Sequence, residues 1–152
     1  MAGGGVRAGG GVSEDVAPRG RDSYRHWYDC VLRYNDTDRQ GHVNNVSFAT
    51  FVEQGRADFL LGAAAPALPE GATFVLARIC LDYLHEVFWP GTVSVGTGVL
   101  GVGRTSMRLA QGMFVGEACV AAATSVIVLV DAQGRPVAWP EDVRGGLAGV
   151  FE

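Results

Sequence analysis

The chain has 152 residues and a formal net charge of −4, and its twelve basic residues are all arginine. That length suits one domain with a core that needs no disulfide or metal staples. The acidic balance excludes bulk nucleic-acid binding, which requires a basic face, and the absence of lysine excludes a Schiff-base or P-loop lysine.

No apolar run reaches the roughly 18–20 residues of a membrane span; the nearest, residues 118–130, is shorter. The N-terminus lacks the apolar stretch of a signal peptide. Cys30, Cys80 and Cys119 are odd in number and form no CxxC pair, so they read as reduced thiols of a cytoplasmic protein. These cysteines and His26, His42 and His85 show no ligand spacing, and neither a metal nor a bound cofactor is expected.

Residues 1–25 hold two glycine triplets and few large apolar side chains. Such a segment cannot offset its ordering entropy, so it reads as a disordered tail ahead of a domain at 26–152. The aromatic content of residues 28–34 predicts a strand. A polar turn at 35–41 precedes His42-Val43-Asn44-Asn45, where either asparagine is a good helix N-cap.

Residues 46–61 carry helical periodicity, with Phe48, Val52, Gly55 and Phe59 on one face. Gly55 on that face reads as a point of close approach to a sheet. Glu53 and Arg56, three apart, are placed to pair, and Gly62 falls where a left-handed C-terminal cap is expected. Four strand-like runs follow at 74–87, 92–102, 106–115 and 117–130, separated by glycine-bearing turns. The last is apolar on both faces, as for a strand covered by the helix and by another subunit. Residues 139–144 read as a short helix opened by Pro140. One strand, one long helix and four strands make an α+β domain, an antiparallel sheet packed on a helix.

The chemistry concentrates in the turn from Arg33 to Asn45, which crowds two carboxylates, an imidazole and the paired amides of Asn44 and Asn45 ahead of the helix. A helix N-terminus carries partial positive charge and free N–H groups that stabilise a developing oxyanion. A carboxylate just upstream serves as base or nucleophile toward a carbonyl. The plainer reading is a solvated turn whose Asp and Asn side chains only cap.

Asp38-x-x-Gly41-His42-Val43-Asn44-Asn45, followed by Phe48, Glu53 and Arg56, resembles the hotdog-fold acyl-CoA thioesterases of the 4-hydroxybenzoyl-CoA thioesterase family. Asp82-Tyr83-Leu84, Pro90-Gly91, Gly103-Arg104-Thr105-Ser106 and Gly134-Arg135-Pro136 extend the similarity over about residues 28–140. The resemblance implies a hotdog fold, an antiparallel sheet wrapped around one long central helix. It implies hydrolysis of the thioester of an acyl-CoA or an acyl carrier protein, in a homodimer or homotetramer with sites at the subunit boundary.

Carried over by position, Asp38 is the catalytic carboxylate, His42 orients it or water, and Glu53 helps place water. Gly41, Asn44, Asn45 and Arg104 meet the substrate, and Arg78 and Arg108 are weaker candidates for the phosphates of coenzyme A. Phe48 departs from the tyrosine many relatives carry. Asp36 reads as a cap, and His85 and Glu86 as structural. Two other readings stay open, a hotdog hydratase or dehydratase acting on 2-enoyl thioesters and a non-catalytic acyl-thioester binding protein.

Overall fold

The computed structural model describes residues 16–63 and 65–147. Five strands, β1 (His26–Val31), β2 (Thr73–Tyr83), β3 (Thr92–Val102), β4 (Ser106–Val115) and β5 (Ala118–Val130), form one sheet in the order β1-β3-β4-β5-β2. Every pairing is antiparallel. The long helix α1 (Asn45–Leu61) follows β1, and a short helix α2 (Glu141–Leu147) closes the described chain. This is the expected α+β arrangement, a hotdog-type sheet around one helix.

Alternation along β3 decides how the layers meet. Val93, Val95, Thr97 and Val99 face α1, and all are buried. At Gly55 the helix comes so close that an added Cβ would lie 2.6 Å from Val95 Cγ1 and 3.2 Å from Gln111 Nε2. Gln111, fully buried on β4, donates from Nε2 to the Val52 carbonyl at 2.9 Å and to Thr97 Oγ1 at 3.1 Å. These bonds tie the helix backbone to the sheet, because a buried amide must find partners. At the far end of α1, His26 Nε2 and Asp58 Oδ2 pair at 2.9 Å.

Phe48, Phe51 and Val52 of α1 pack with Val93, Val95 and Met113 at one end of the core. Phe59 and Leu60 pack with Met107, Leu109, Ile127, Leu129 and Trp139 at the other. Each such side chain contributes roughly 1.5–3 kcal/mol on full burial, so α1 is held along its whole length.

Four expectations differ from the structure. Residues 1–15 of the expected tail lie outside the described residues, but within residues 16–25 the side chains of Ala17 and Tyr24 dock on the sheet face opposite α1. Ala17 is buried with Ala110 and Ala122, and Tyr24 is buried edge-on to Trp27 and Phe114. A single aromatic among polar neighbours was too weak a signal for that docking. β1 ends at Val31, because the next residues leave the sheet for a 3-10 turn at Tyr34–Asp36. β2 ends at Tyr83, before residue 87. Gly62 caps α1 in an extended conformation (φ −73°, ψ −173°), where a Cβ would strike the Asp58 carbonyl.

Gly55→Ala sets helix propensity against packing. In an open helix the change stabilises by about 1 kcal/mol; here the Val95 contact makes it destabilising by about 1–3 kcal/mol. Urea unfolding of Gly55→Ala, alone and with Val95→Ala, measures the outcome, and partial recovery is expected in the double variant.

A second prediction concerns alkaline pH. Burial, aided by the Asp29 and Asp36 charges, pushes the Cys30 thiol up from 9.0 to about 11. A group raised in the folded state supports folding below its unfolded value and withdraws that support through its folded value. Stability therefore falls as pH rises from about 9 to about 11, and Cys30→Ala makes the fall shallower in denaturant titrations across that range.

Candidate active site

The turn between β1 and α1 is built around Asp36, which is 4 % exposed. Its carboxylate accepts the Arg33 backbone N–H at 2.7 Å and Arg33 Nη2–H at 3.0 Å. Its main-chain carbonyl accepts the Asn44 N–H at 2.8 Å and the Ser47 hydroxyl at 3.0 Å. Both arms of the turn are thereby tied to one residue. A bridge between Thr37 and Val43 closes the loop that carries Asp38.

Within that loop the Asp38 N–H donates to the His42 carbonyl, and the Gly41 N–H to the Asp38 carbonyl, both at 3.0 Å. Gly41 has φ +90°, which L side chains rarely adopt, so the sharp return to His42 depends on glycine. The Asp38 carboxylate is set by the same loop: Oδ1 accepts the Gln40 N–H at 2.9 Å, and Oδ2 lies 3.4 Å from His42 Nδ1. On the other side of the imidazole, Glu86 Oε1 is 3.9 Å from Nε2.

The chain after β2 forms the opposite wall. The Val43 N–H donates to the Val87 carbonyl at 2.7 Å, and the Phe88 ring lies edge-on to His42 at 6.3 Å. Phe88 and Trp89 are about half exposed. A cleft of about 330 Å³ opens between β1 and α1, lined in part by Tyr28, Cys30, Asp36 and Phe51.

Asn44 is the N-cap of α1, its Oδ1 accepting the Val46 N–H at 2.9 Å. The Ser47 N–H bonds the Asn44 carbonyl at 2.9 Å. That leaves the N–H of Asn45, an exposed residue, as the first-turn donor with no acceptor among the described residues, at the positive end of the helix dipole. Asp38, Gly41, His42, Asn44 and Asn45 thus come together in one turn.

Two other expected residues do not join them within the chain. Glu53 is exposed two turns along α1, and it forms no ion pair with Arg56, which is buried. Burial lowers the Arg56 guanidinium from its ordinary value, with the Glu53 charge opposing. Arg104 is exposed in the turn joining β3 to β4, at the opposite end of strands about 30 Å long. Arg78 and Arg108 border a groove of about 470 Å³ on the face of the sheet away from α1.

Glu86 reads as structural in the sequence, and Phe88 and the Tyr83 hydroxyl carry no motif there, yet all three lie at this end of the molecule. Tyr83 donates to the Asn45 carbonyl at 3.2 Å and meets Phe48 edge-on at 5.6 Å. Spacing within the turn carried no signal for them, since they arrive from the other side of the sheet. Among the described residues no cluster of three or more His, Cys, Asp or Glu side chains has metal-binding geometry, and no helix is long and apolar enough to cross a membrane.

Solved structures share this architecture. PA5185 of Pseudomonas aeruginosa PAO1 superposes with a TM-score of 0.77 at 28 % identity, covering 88 % of this chain and 96 % of that one. A thioesterase of Thermus thermophilus, crystallised with coenzyme A and zinc, gives a TM-score of 0.72 at 26 % identity, covering 86 % and 97 %. The uncharacterized protein YsmA of Bacillus subtilis strain 168 is 22 % identical over 126 residues, 82 % of this chain and 86 % of its own. Residues 32–147 match the family model for the thioesterase-like superfamily, a span from the end of β1 to the end of α2, and the chain belongs to that superfamily.

Proposed function

We propose that this protein hydrolyses acyl thioesters, as the 4-hydroxybenzoyl-CoA thioesterase family does, with Asp38 as base or nucleophile. The observation that carries this reading is the Asp38 carboxylate, held by its own loop beside His42 and just ahead of the N-terminus of α1. The Asn45 N–H supplies a dipole-backed donor for the thioester oxygen as it gains negative charge. His42 keeps one carboxylate oxygen oriented, and Phe88 and Trp89 border the approach with apolar surface.

Coenzyme A is the favoured carrier, because the Thermus thermophilus relative was crystallised with it; an acyl carrier protein is the other. Three unpaired cysteines fit a reducing cytoplasm.

The site is proposed to work in a homodimer, itself able to pair into a tetramer. β2 is an open edge of eleven residues. Along it Val75, Leu76, Ile79 and Tyr83 are 38–49 % exposed. A long apolar edge is a template for strand pairing, and a second copy laid along β2 covers it next to the start of α1.

Asp38→Asn is expected to lower kcat by roughly 10²–10⁴-fold against a panel of acyl-CoAs, read by thiol release. Unchanged turnover removes Asp38 from the mechanism. In single turnover in ¹⁸O-water, label found in the Asp38 side chain establishes the nucleophilic role, because water attacking the aspartyl carbon of the mixed anhydride leaves its oxygen there and releases the acyl group as the free acid. A panel including 2-enoyl-CoAs tests the hydratase reading, and no turnover of any thioester moves the assignment to a binding protein. Ile79→Glu tests the assembly: the variant is expected to sediment as a monomer and lose activity, and an active monomer overturns the dimeric site.

A further inference from the structure

The peptide group joining Asn45 to Val46 is gripped at both ends by side chains. Its N–H donates to Asn44 Oδ1 at 2.9 Å, and its carbonyl accepts the Tyr83 hydroxyl at 3.2 Å. The first grip is an ordinary N-cap, local in the chain. The second comes from the last residue of β2 and crosses from the sheet to the helix.

Tyr83 is a firmly mounted arm for that purpose. Its backbone is in register with Ala121 of β5. The two residues after it, Leu84 and His85, both donate their N–H groups to the Val120 carbonyl, at 2.9 and 3.1 Å. Its ring stands edge-on to Phe48 at 5.6 Å, and Phe48 in turn to Phe51 at 6.1 Å. Packing therefore sets the ring, and the hydroxyl is left to choose an acceptor at the helix start. A carbonyl has two lone pairs, so the Asn45 oxygen can accept from Tyr83 and still serve the helix ladder.

We infer that Tyr83 is a positioning residue of the thioester site, fixing the first turn of α1 so that the Asn45 N–H keeps its aim at the reacting carbonyl. This inference rests on the thioester-hydrolase reading. The first turn of a helix is where backbone bonds are fewest and fraying begins, and an oxyanion donor works only if its direction is fixed in advance. Tyr83 supplies the fixed point from outside the helix. It does so from the open edge strand, so the pose of the donor depends on the end of β2.

Tyr83→Phe isolates the hydroxyl, since the ring stays on Phe48. A roughly three- to tenfold fall in kcat is expected, the size of one modest hydrogen bond expressed in rate, with KM and the affinity for a non-hydrolysable thioether analogue of acyl-CoA within twofold of the parent. Amide exchange in the first turn of α1 is expected to quicken, while the melting temperature moves little.

A kcat within twofold of the parent, unchanged exchange, or a loss of analogue affinity equal to the loss of rate overturns the inference. Asp38→Asn assayed in parallel keeps the two ideas apart. An inactive Asp38→Asn with a fully active Tyr83→Phe ends the positioning role alone, whereas an active Asp38→Asn ends the reading of the site on which it stands.

Discussion

Asp36 lies buried between the arms of the turn that links the first strand to the long helix, with its carboxylate on Arg33 and its carbonyl on Asn44 and Ser47. A buried carboxylate costs several kcal/mol unless it is paired and bonded, so once formed this arrangement has few alternatives. The Arg33 side chain is largely exposed while that of Asp36 is almost wholly covered. Water therefore screens the pair from one side, and the backbone donor carries much of the hold. Everything downstream inherits that position: the bridge from Thr37 to Val43, the Asp38 loop, the Asn44 cap and the start of α1. The residue that holds the turn together is thus not the one proposed to perform the chemistry, though the two are both aspartates and only two apart.

The second constraint is the depth at which α1 sits. Gly55 over Val95, the Gln111 bond to the Val52 carbonyl and the His26–Asp58 pair hold the helix at its middle and far end. With those points fixed, the N-terminus can move little relative to the sheet. That matters because strong donors to a developing oxyanion come from rigid elements rather than from mobile ones. The buried Arg56 belongs to the same picture. Its Nη1 has no hydrogen-bond partner among the described residues, and with Glu53 turned to solvent the guanidinium works against its own burial rather than for an ion pair.

How much of this could be read in the sequence depends on how far apart the interacting residues lie. α1 was legible because Phe48, Val52, Gly55 and Phe59 repeat at the helical period and Asn44 offers a cap. The hairpins from β3 to β5 were legible because glycine marks their turns, and their bounds agree to within a residue. The Asp38–His42 pair was legible because both partners sit in one short motif. The fit of Tyr24 on the sheet was not, since it requires strands that lie far along the chain. Nor were Glu86, Phe88 and the Tyr83 hydroxyl, which meet the turn only after β2 has crossed the whole sheet to reach β5. Gly62 shows a subtler limit. A glycine after a helix signals a stop, but whether it is needed for a left-handed turn or for clearance from the Asp58 carbonyl depends on coordinates that spacing does not carry.

The surroundings of His42 favour Asp38, rather than its acidic neighbour Glu86, for the proposed role of base or nucleophile. Both carboxylates approach the imidazole, at 3.4 and 3.9 Å, but their settings differ. The Glu86 side chain is 69 % exposed and no hydrogen bond among the described residues holds it, so solvent screens its charge and spreads its rotamers. The Asp38 side chain is 27 % exposed, and one oxygen is committed to the Gln40 N–H. A reacting group gains most from being held in one geometry before the substrate arrives. Glu86 contributes diffuse negative potential, while Asp38 contributes an oxygen with a fixed direction. The protein is acidic overall, so long-range steering does not draw in the proposed anionic thioester. Close contacts must do so, and the positive end of α1, a few residues past Asp38, lies within this same turn.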